Sequence, residues 1–417
     1  MGGNRPRRAL LLTILVCLVL LAGRPVPALA QAGVEFQDVA AFVEFGKTVT
    51  FQAVIASETP VQEAVLTIQP QGLEAIIQPV TVNAQNEIVY QLDLVSTPLR
   101  PFSRVQYTYR VLLANGNSVD SPNYSFDYTD TRFAWQSVSN DRFEIFWYDR
   151  EIALGQRALN TAQQGLQSIQ NILPVSLEQS VRIYIYNTSN DLKGALPGSQ
   201  PWIAGQSAPD LGVILLSIPV GPEDQLELER QLPHELMHVI LYQLIGEKTA
   251  NLPAWLVEGL ASTAEIYPNP EYASALSMSA EENKLIPLES FCASMPRDAS
   301  GAFLAYAESA SFVRFLHRTY GASAMRWLVE QYQNGLGCSE GIQTALGSSL
   351  TQLEYQWKEQ ELRLNPGNLI FRNLLPYLLL FLVLFGAAAL TIIITARRSS
   401  RLRQEAEEYP APSQDYP

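Results

Sequence analysis

The sequence predicts a multidomain chain: an N-terminal all-β sandwich, then an α+β domain, then one transmembrane helix. Three observations carry that expectation. The first third of the chain alternates apolar and polar residues between turn residues, with the period of two expected of strands. The middle changes to a few strands followed by long runs with apolar residues three and four apart, the pattern of helices laid on a sheet. Near the end lies an uncharged stretch longer than a globular core requires.

Composition sets the compartment. Of 417 residues, 47% are hydrophobic and 17% charged, and the formal net charge is -13. A charged fraction below the usual value of about 25% places apolar residues outside any soluble core. An acidic chain also lacks the basic surface that neutralises phosphates, which excludes nucleic acid as a partner. Arg5, Arg7 and Arg8 precede an apolar run from Ala9 to Ala22, and Ala28-Leu29-Ala30 follows. A basic start, a short apolar centre and a small-x-small exit predict a signal peptide over residues 1–30, cleaved after Ala30. Leu374 to Ile394 carries no charge and leads to Arg397, Arg398, Arg401 and Arg403. That run predicts a spanning helix over 372–396, with the arginines and the tail 397–417 on the cytoplasmic side. The expected topology is a single-pass cell-membrane protein held by the lipid bilayer, with its ectodomain outside the cytoplasm. Cys17 leaves with the signal peptide, so Cys292 and Cys338 remain as an even pair in an oxidising compartment and are expected to form a disulfide. On the chain-entropy model such a bridge stabilises the fold by about 4 kcal/mol.

Within residues 31–130, strands are expected at Thr48 to Ile55, Glu63 to Ile68, Glu87 to Leu94, Val105 to Leu113 and Tyr124 to Tyr128. Their number and spacing suit one immunoglobulin-like or fibronectin-like sandwich acting as spacer or binding module. Residues 131–365 then read as a strand at Phe143 to Tyr148, a helix at Ile152 to Ile172, strands at Val181 to Tyr186 and Val213 to Ile218, and helices from Glu223 onward. A less regular stretch is expected from about Pro268 to Ser300. Trp202 to Ser207 reads as an ordinary structural strand, with an edge strand that pairs with an extended peptide as the alternative.

The chemistry concentrates in His234-Glu235-Leu236-Met237-His238, which holds two of the three histidines in the chain. Residues four apart share a helix face, so both imidazoles can reach one cation while Glu235 sits beside it. Met237, Ile240, Leu241 and Leu244 form a separate apolar stripe, and Gly246 supplies a stop. A second helix, beginning at Pro253-Ala254-Trp255, buries Val257, Leu260, Ala261 and Ala264 and offers Glu258 from another face. A carboxylate there completes the two-His, one-carboxylate set of an open zinc site. Pro233 departs from the simplest reading and suggests that the helix starts or kinks at His234.

With these motifs in view, the sequence resembles the gluzincin metallopeptidases, in particular the bacterial peptidase MA-like families. Trp255-Leu256-Val257-Glu258-Gly259-Leu260-Ala261 matches their Trp-Leu-x-Glu-Gly-x-Ala context. Tyr306-Ala307-Glu308-Ser309-Ala310-Ser311-Phe312-Val313 through Tyr320-Gly321 resembles a later family helix, and Ala345-Leu346-Gly347 with Trp357 resembles the closing ones. The resemblance covers roughly residues 135 to 362. It implies one Zn2+ on His234, His238 and Glu258, with Glu235 as general base and a protein or peptide substrate. For the oxyanion donor it implies Tyr306, with Tyr267 and Tyr320 as alternatives. Ser262 lies one turn past Glu258, where some gluzincins carry an acidic support for a zinc-bound His, and its hydroxyl would orient the ligand less strongly. The competing function is a non-catalytic zinc-containing scaffold ectodomain, and the presence of Glu235 favours catalysis because a structural zinc site needs no base.

Overall fold

The computed structural model describes residues 33–196, 205–363 and 366–408. The expected signal peptide lies outside these residues, as do Trp202 and the last part of the expected cytoplasmic tail. The described residues form two compact units, one built from 33–136 with 189–196 and the other from 137–188 with the chain from 205 onward.

The first unit is β-rich. Strands β1 (Val34–Glu44), β2 (Thr48–Ser57) and β5 (Glu87–Asp93) form one antiparallel sheet in the order β1-β2-β5. Strands β3 (Val61–Pro70), β4 (Ile76–Val80), β6 (Arg104–Leu113) and β7 (Ser118–Asp120) form a second in the order β4-β3-β6-β7, and β8 (Tyr124–Asp127) pairs with β6. Alternate residues Val49, Phe51, Ala53 and Ile55 of β2 are buried, as are Val105, Tyr107, Tyr109 and Val111 of β6. The Phe51 and Tyr107 rings meet edge to face at 5.1 Å and join the two sheets. The strands β1, β4 and β7 were not among the expected ones. In β1 and β4 no residue is fully buried, so the alternation that marks a core strand is weak there. A short helix, α2 (Ser189–Ala195), also belongs to this unit.

In the second unit a mixed sheet runs β12-β13-β11-β10-β9, from β9 (Gln136–Ser139), β10 (Phe143–Trp147), β11 (Val181–Tyr186), β12 (Gly205–Ala208) and β13 (Val213–Ser217). The strands β10, β11 and β13 are parallel, and β12 is an antiparallel edge. Helix α1 (Ile152–Ile172) buries Ala158, Ala162, Leu166 and Ile169 against this sheet. It meets α3 (Asp224–Ile245), which is followed by α4 (Ala254–Ala264), α5 (Glu271–Glu281), α6 (Ala299–Tyr320), α7 (Ala322–Gln333), α8 (Cys338–Leu346) and α9 (Leu350–Gln360). One hydrophobic core joins the sheet to these helices. Helix α5 occupies part of the stretch expected to be irregular. It buries only Leu276 and Ala280, too thin an apolar stripe to give a helical period in the sequence.

Residues 366–408 form one helix, α10. The transmembrane helix expected over 372–396 falls within it. Among the described residues, however, no helix is long and apolar enough to cross a membrane. Part of the apolar run, at 383–384 and 387–390, lies outside the described side chains.

Cys292 and Cys338 are joined by a disulfide with a Cα–Cα distance of 5.8 Å. The bridge sits at the start of α4, where the Ala254 N–H donates to the Cys292 carbonyl at 3.2 Å and the Trp255 indole N–H reaches Cys338 Sγ at 3.4 Å.

Two buried positions test this packing. Gly155 on α1 lies so close to Trp147 that an added Cβ would stand 2.2 Å from a ring carbon. Gly155→Ala should therefore destabilise by roughly 1–3 kcal/mol through overpacking, read as a lower midpoint in urea. Glu308 on α6 is fully buried, with Oε1 accepting the Ile286 N–H at 2.9 Å and Oε2 without a hydrogen-bond partner among the described residues. Burial pushes its carboxyl up to about 8, opposed by the Ile286 N–H and Lys358 and assisted by Glu354. The folded chain therefore holds a proton that the unfolded chain gives up, and stability falls as pH rises from about 4.5 towards 8. Denaturation at pH 5 and pH 8 should show Glu308→Gln losing on the order of a few kcal/mol less than wild type over that interval.

Candidate metal centre

The site is built where α3 and α4 meet. Helix α3 runs from Asp224 to Ile245 with Pro233 inside it, so it does not start at His234. Leu236, Met237, Val239, Ile240 and Leu241 are buried in the core, which turns His234 and His238 to the opposite face. Their rings lie 5.2 Å apart. Gly246, with φ of +62°, ends the helix.

Helix α4 brings Glu258 to that pair. Its approach depends on Gly259, where an added Cβ would stand 2.4 Å from Val313 Cγ2 and 2.6 Å from the Ser309 carbonyl oxygen. The glycine after Glu258 therefore lets α6 cross α4 closely, and the same crossing sets Tyr306 of α6 beside the carboxylate. Glu258 Oε2 is 3.5 Å from His234 Nε2 and 3.8 Å from His238 Nε2. All three donor atoms lie within 4.8 Å of one another. Tetrahedral bonds of about 2.0–2.1 Å place neighbouring donors roughly 3.3 Å apart, so the two nitrogens and one oxygen suit a zinc ion with little adjustment. The side chains are about a fifth exposed (18% for each His and 20% for Glu258), which leaves one side of the cluster open.

A further carboxylate supports the cluster. Glu265 Oε1 lies 3.1 Å from His234 Nδ1, and the residue is buried. A carboxylate there fixes the tautomer with its proton on Nδ1 and leaves Nε2 for a cation. The sequence reading looked for this support one turn past Glu258, at Ser262. It comes instead from Glu265, at the C-cap of α4.

The electrostatics agree with a cation site. Burial works against the protonated His234 ring, but the carboxylates of Glu258 and Glu265, together with the charge of Glu235, push its pKa up to about 10. Burial likewise opposes ionisation of Glu258, yet His238, His234 and Tyr306 hold its carboxyl below the usual range. The Tyr306 phenol is pushed up by burial and by Glu258, so it keeps its proton and remains a donor. Its ring centroid is 6.4 Å from that of His234. Of the two alternatives, Tyr267 lies under the Arg230 guanidinium at 5.7 Å. Tyr320 is fourteen residues further along α6 than Tyr306, about 21 Å at 1.5 Å per residue, and does not reach the cluster.

Glu235 faces the sheet edge. At Gly205, the first residue of β12, an added Cβ would stand 3.0 Å from Glu235 Oε1. The carboxylate next to the cluster is therefore also next to an edge strand. The third histidine lies elsewhere, with Nε2 of His317 3.1 Å from the Asn171 carbonyl oxygen.

The Glu265 contact gives a direct test. Glu265→Ala should weaken Zn2+ binding by about 10–100-fold, measured by competition with a chromogenic chelator, and Glu265→Asp should restore part of the loss. Unchanged affinity in both variants would remove Glu265 from the centre.

Residues 161–362, a little under half of the chain, match the family model described as the Peptidase MA superfamily. No curated protein matches. Among solved structures, the chain is similar to the M1 zinc metallopeptidase from Deinococcus radiodurans, at 13% identity and a TM-score of 0.35, over 80% of this chain and 95% of that one. It is also similar to a carbohydrate-binding module family 56 β-1,3-glucan binding domain, at 14% identity and a TM-score of 0.17, over 22% of this chain and 98% of that one. A third is OgpA from Akkermansia muciniphila, at 17% identity and a TM-score of 0.21, over 24% of this chain and 30% of that one. The family match takes in His234, His238 and Glu258.

Proposed function

We propose that this chain is a zinc metallopeptidase that hydrolyses peptide bonds outside the cytoplasm and is anchored to the cell membrane by a C-terminal helix. The observation that carries the reading is the convergence of His234, His238 and Glu258 donor atoms within 4.8 Å, with Glu235 between that cluster and an edge strand. In such a site Zn2+ would be held by these three residues and would supply Lewis acidity, activating water and polarising the scissile carbonyl.

The chain's own residues do the rest. An extended peptide adds to the edge of β12, the outer strand among the described residues, by backbone hydrogen bonds, which orients it without demanding a particular sequence. That strand begins beside Glu235, so the scissile bond is presented to the carboxylate. Glu235 takes the proton of the attacking water and returns it to the leaving amine. Tyr306, kept protonated by its surroundings, donates a hydrogen bond to the oxyanion as charge develops there. Glu265 holds His234 in the tautomer that leaves Nε2 free.

Membrane anchoring rests on the apolar run and the arginines behind it. The exposure of Leu374, Phe381, Leu382, Phe385 and Ile392 on α10 supports it, since a helix with apolar side chains turned outward needs an apolar surrounding. The disulfide supports an extracytoplasmic placement.

The test compares the full wild-type chain with Glu235→Gln for zinc content and for cleavage of casein or a peptide library. Both should bind about one Zn2+, and the variant should lose on the order of a hundredfold or more in turnover. Equal cleavage by the two, or none by a zinc-loaded wild type, sinks the peptidase reading.

A further inference from the structure

Pro233 stands inside α3, directly before His234. A proline at that point removes the N–H that residue 233 would donate to the carbonyl four residues back, which belongs to Glu229. That carbonyl has other partners. It accepts the Ile266 N–H at 2.9 Å and the Tyr267 N–H at 3.4 Å. Ile266 directly follows Glu265, whose Oε1 lies 3.1 Å from His234 Nδ1. The contacts close a ring: α3 holds the chain just past α4 by its backbone, and that chain returns to α3 through Glu265.

We propose that Pro233 is a positioning residue for the metal centre, reserving the Glu229 carbonyl for the end of α4 and thereby setting Glu265 against His234. The proposal rests on the reading of His234 as a ligand given above. A carbonyl oxygen has two lone pairs, and here both have donors from outside the helix. An N–H at position 233 would lie in line with the same oxygen and displace one of them. Glu265 also interacts electrostatically with Arg314 and Tyr272, but its one side-chain hydrogen bond among the described residues is to His234. It sits at the C-cap with ψ of 128°, already outside the helix, and its Oε2 has no hydrogen-bond partner among the described residues. The backbone bond at Ile266 therefore helps set where the carboxylate stands.

Pro233 also packs on α1, where a Cβ added to Gly165 would meet its ring at 3.0 Å. The experiment separates this packing from the role of the carbonyl by using three variants of the full chain. Pro233→Ala returns the N–H, Ile266→Pro removes the donor while leaving the ring in place, and Gly165→Ala crowds the ring while leaving the carbonyl alone. Three quantities are read: the Zn2+ dissociation constant, the visible spectrum of the Co2+-loaded protein, and hydrogen exchange at the Ile266 amide.

Pro233→Ala and Ile266→Pro should each weaken Zn2+ binding by about tenfold or more and alter the Co2+ bands. The Ile266 amide should exchange at least about tenfold faster in Pro233→Ala. Gly165→Ala should lower the melting temperature with Zn2+ affinity within about twofold of wild type. Unchanged affinity, spectrum and Ile266 exchange in Pro233→Ala would overturn the proposal. So would a loss of affinity in Gly165→Ala as large as that in Pro233→Ala, because packing would then be the cause. A wild type that binds no Zn2+ overturns the metal reading instead, and Ile266 exchange still decides whether Pro233 reserves the carbonyl.

Discussion

Two imidazoles on one helix face cannot complete a cation site, and the convergence of Glu258 with His234 and His238 depends on how closely three helices can pack. Helix α4 must lie against α3 with Glu258 turned inward, and α6 must cross α4 at the next residue. Only a glycine at 259 permits that crossing, because a side chain there would overlap Val313 and the Ser309 backbone. The Glu-Gly pair is thus a candidate ligand and its clearance. The disulfide and the hydrogen bonds of Ala254 and Trp255 hold the start of the same helix.

Three carboxylates act on the His234 ring. Glu235, Glu258 and Glu265 surround two imidazoles, and the consequence is a His234 ring whose protonated form persists to about pH 10. A cation on Nε2 would take the place of that proton beside the same carboxylates. Glu308, by contrast, has no such partner. It keeps its own proton and holds the Ile286 loop through an N–H, so two buried carboxylates in one domain meet opposite demands.

Much of the centre was legible before any coordinates. The i, i+4 spacing of His234 and His238 and the apolar stripe through Met237, Ile240 and Leu241 depend only on helical period, and the buried residues follow that stripe. Glu258 was legible from its Trp-Leu-x-Glu-Gly context. Glu265 was not, because one carboxylate among many on helix ends carries no mark of its partner, and Ser262 was the nearer position. The place of Pro233 inside α3 was not legible for a related reason. Propensity treats proline as a helix start or a kink, whereas here a donor from another part of the chain uses the carbonyl that proline frees. In the β-rich unit, β2, β3, β5, β6 and β8 alternate visibly, while β1, β4 and β7 are exposed or short, and their pairing comes from neighbours rather than from their own pattern.

Sequence alone therefore determined the local terms: which faces of α1, α3 and α4 are apolar, which residue types can bind a metal, where charge is missing, and which cysteines remain to pair. These follow from chain periodicity and side-chain chemistry, which need no knowledge of the partner element. Only the tertiary structure decided the cross-helix terms: the 3.5 and 3.8 Å approaches of Glu258, the choice of Glu265 over Ser262, the place of Glu235 beside β12, and the use of the Glu229 carbonyl by Ile266. Each of these is a distance between groups remote in the chain, and such distances are set by how closely the backbones pack rather than by any local preference.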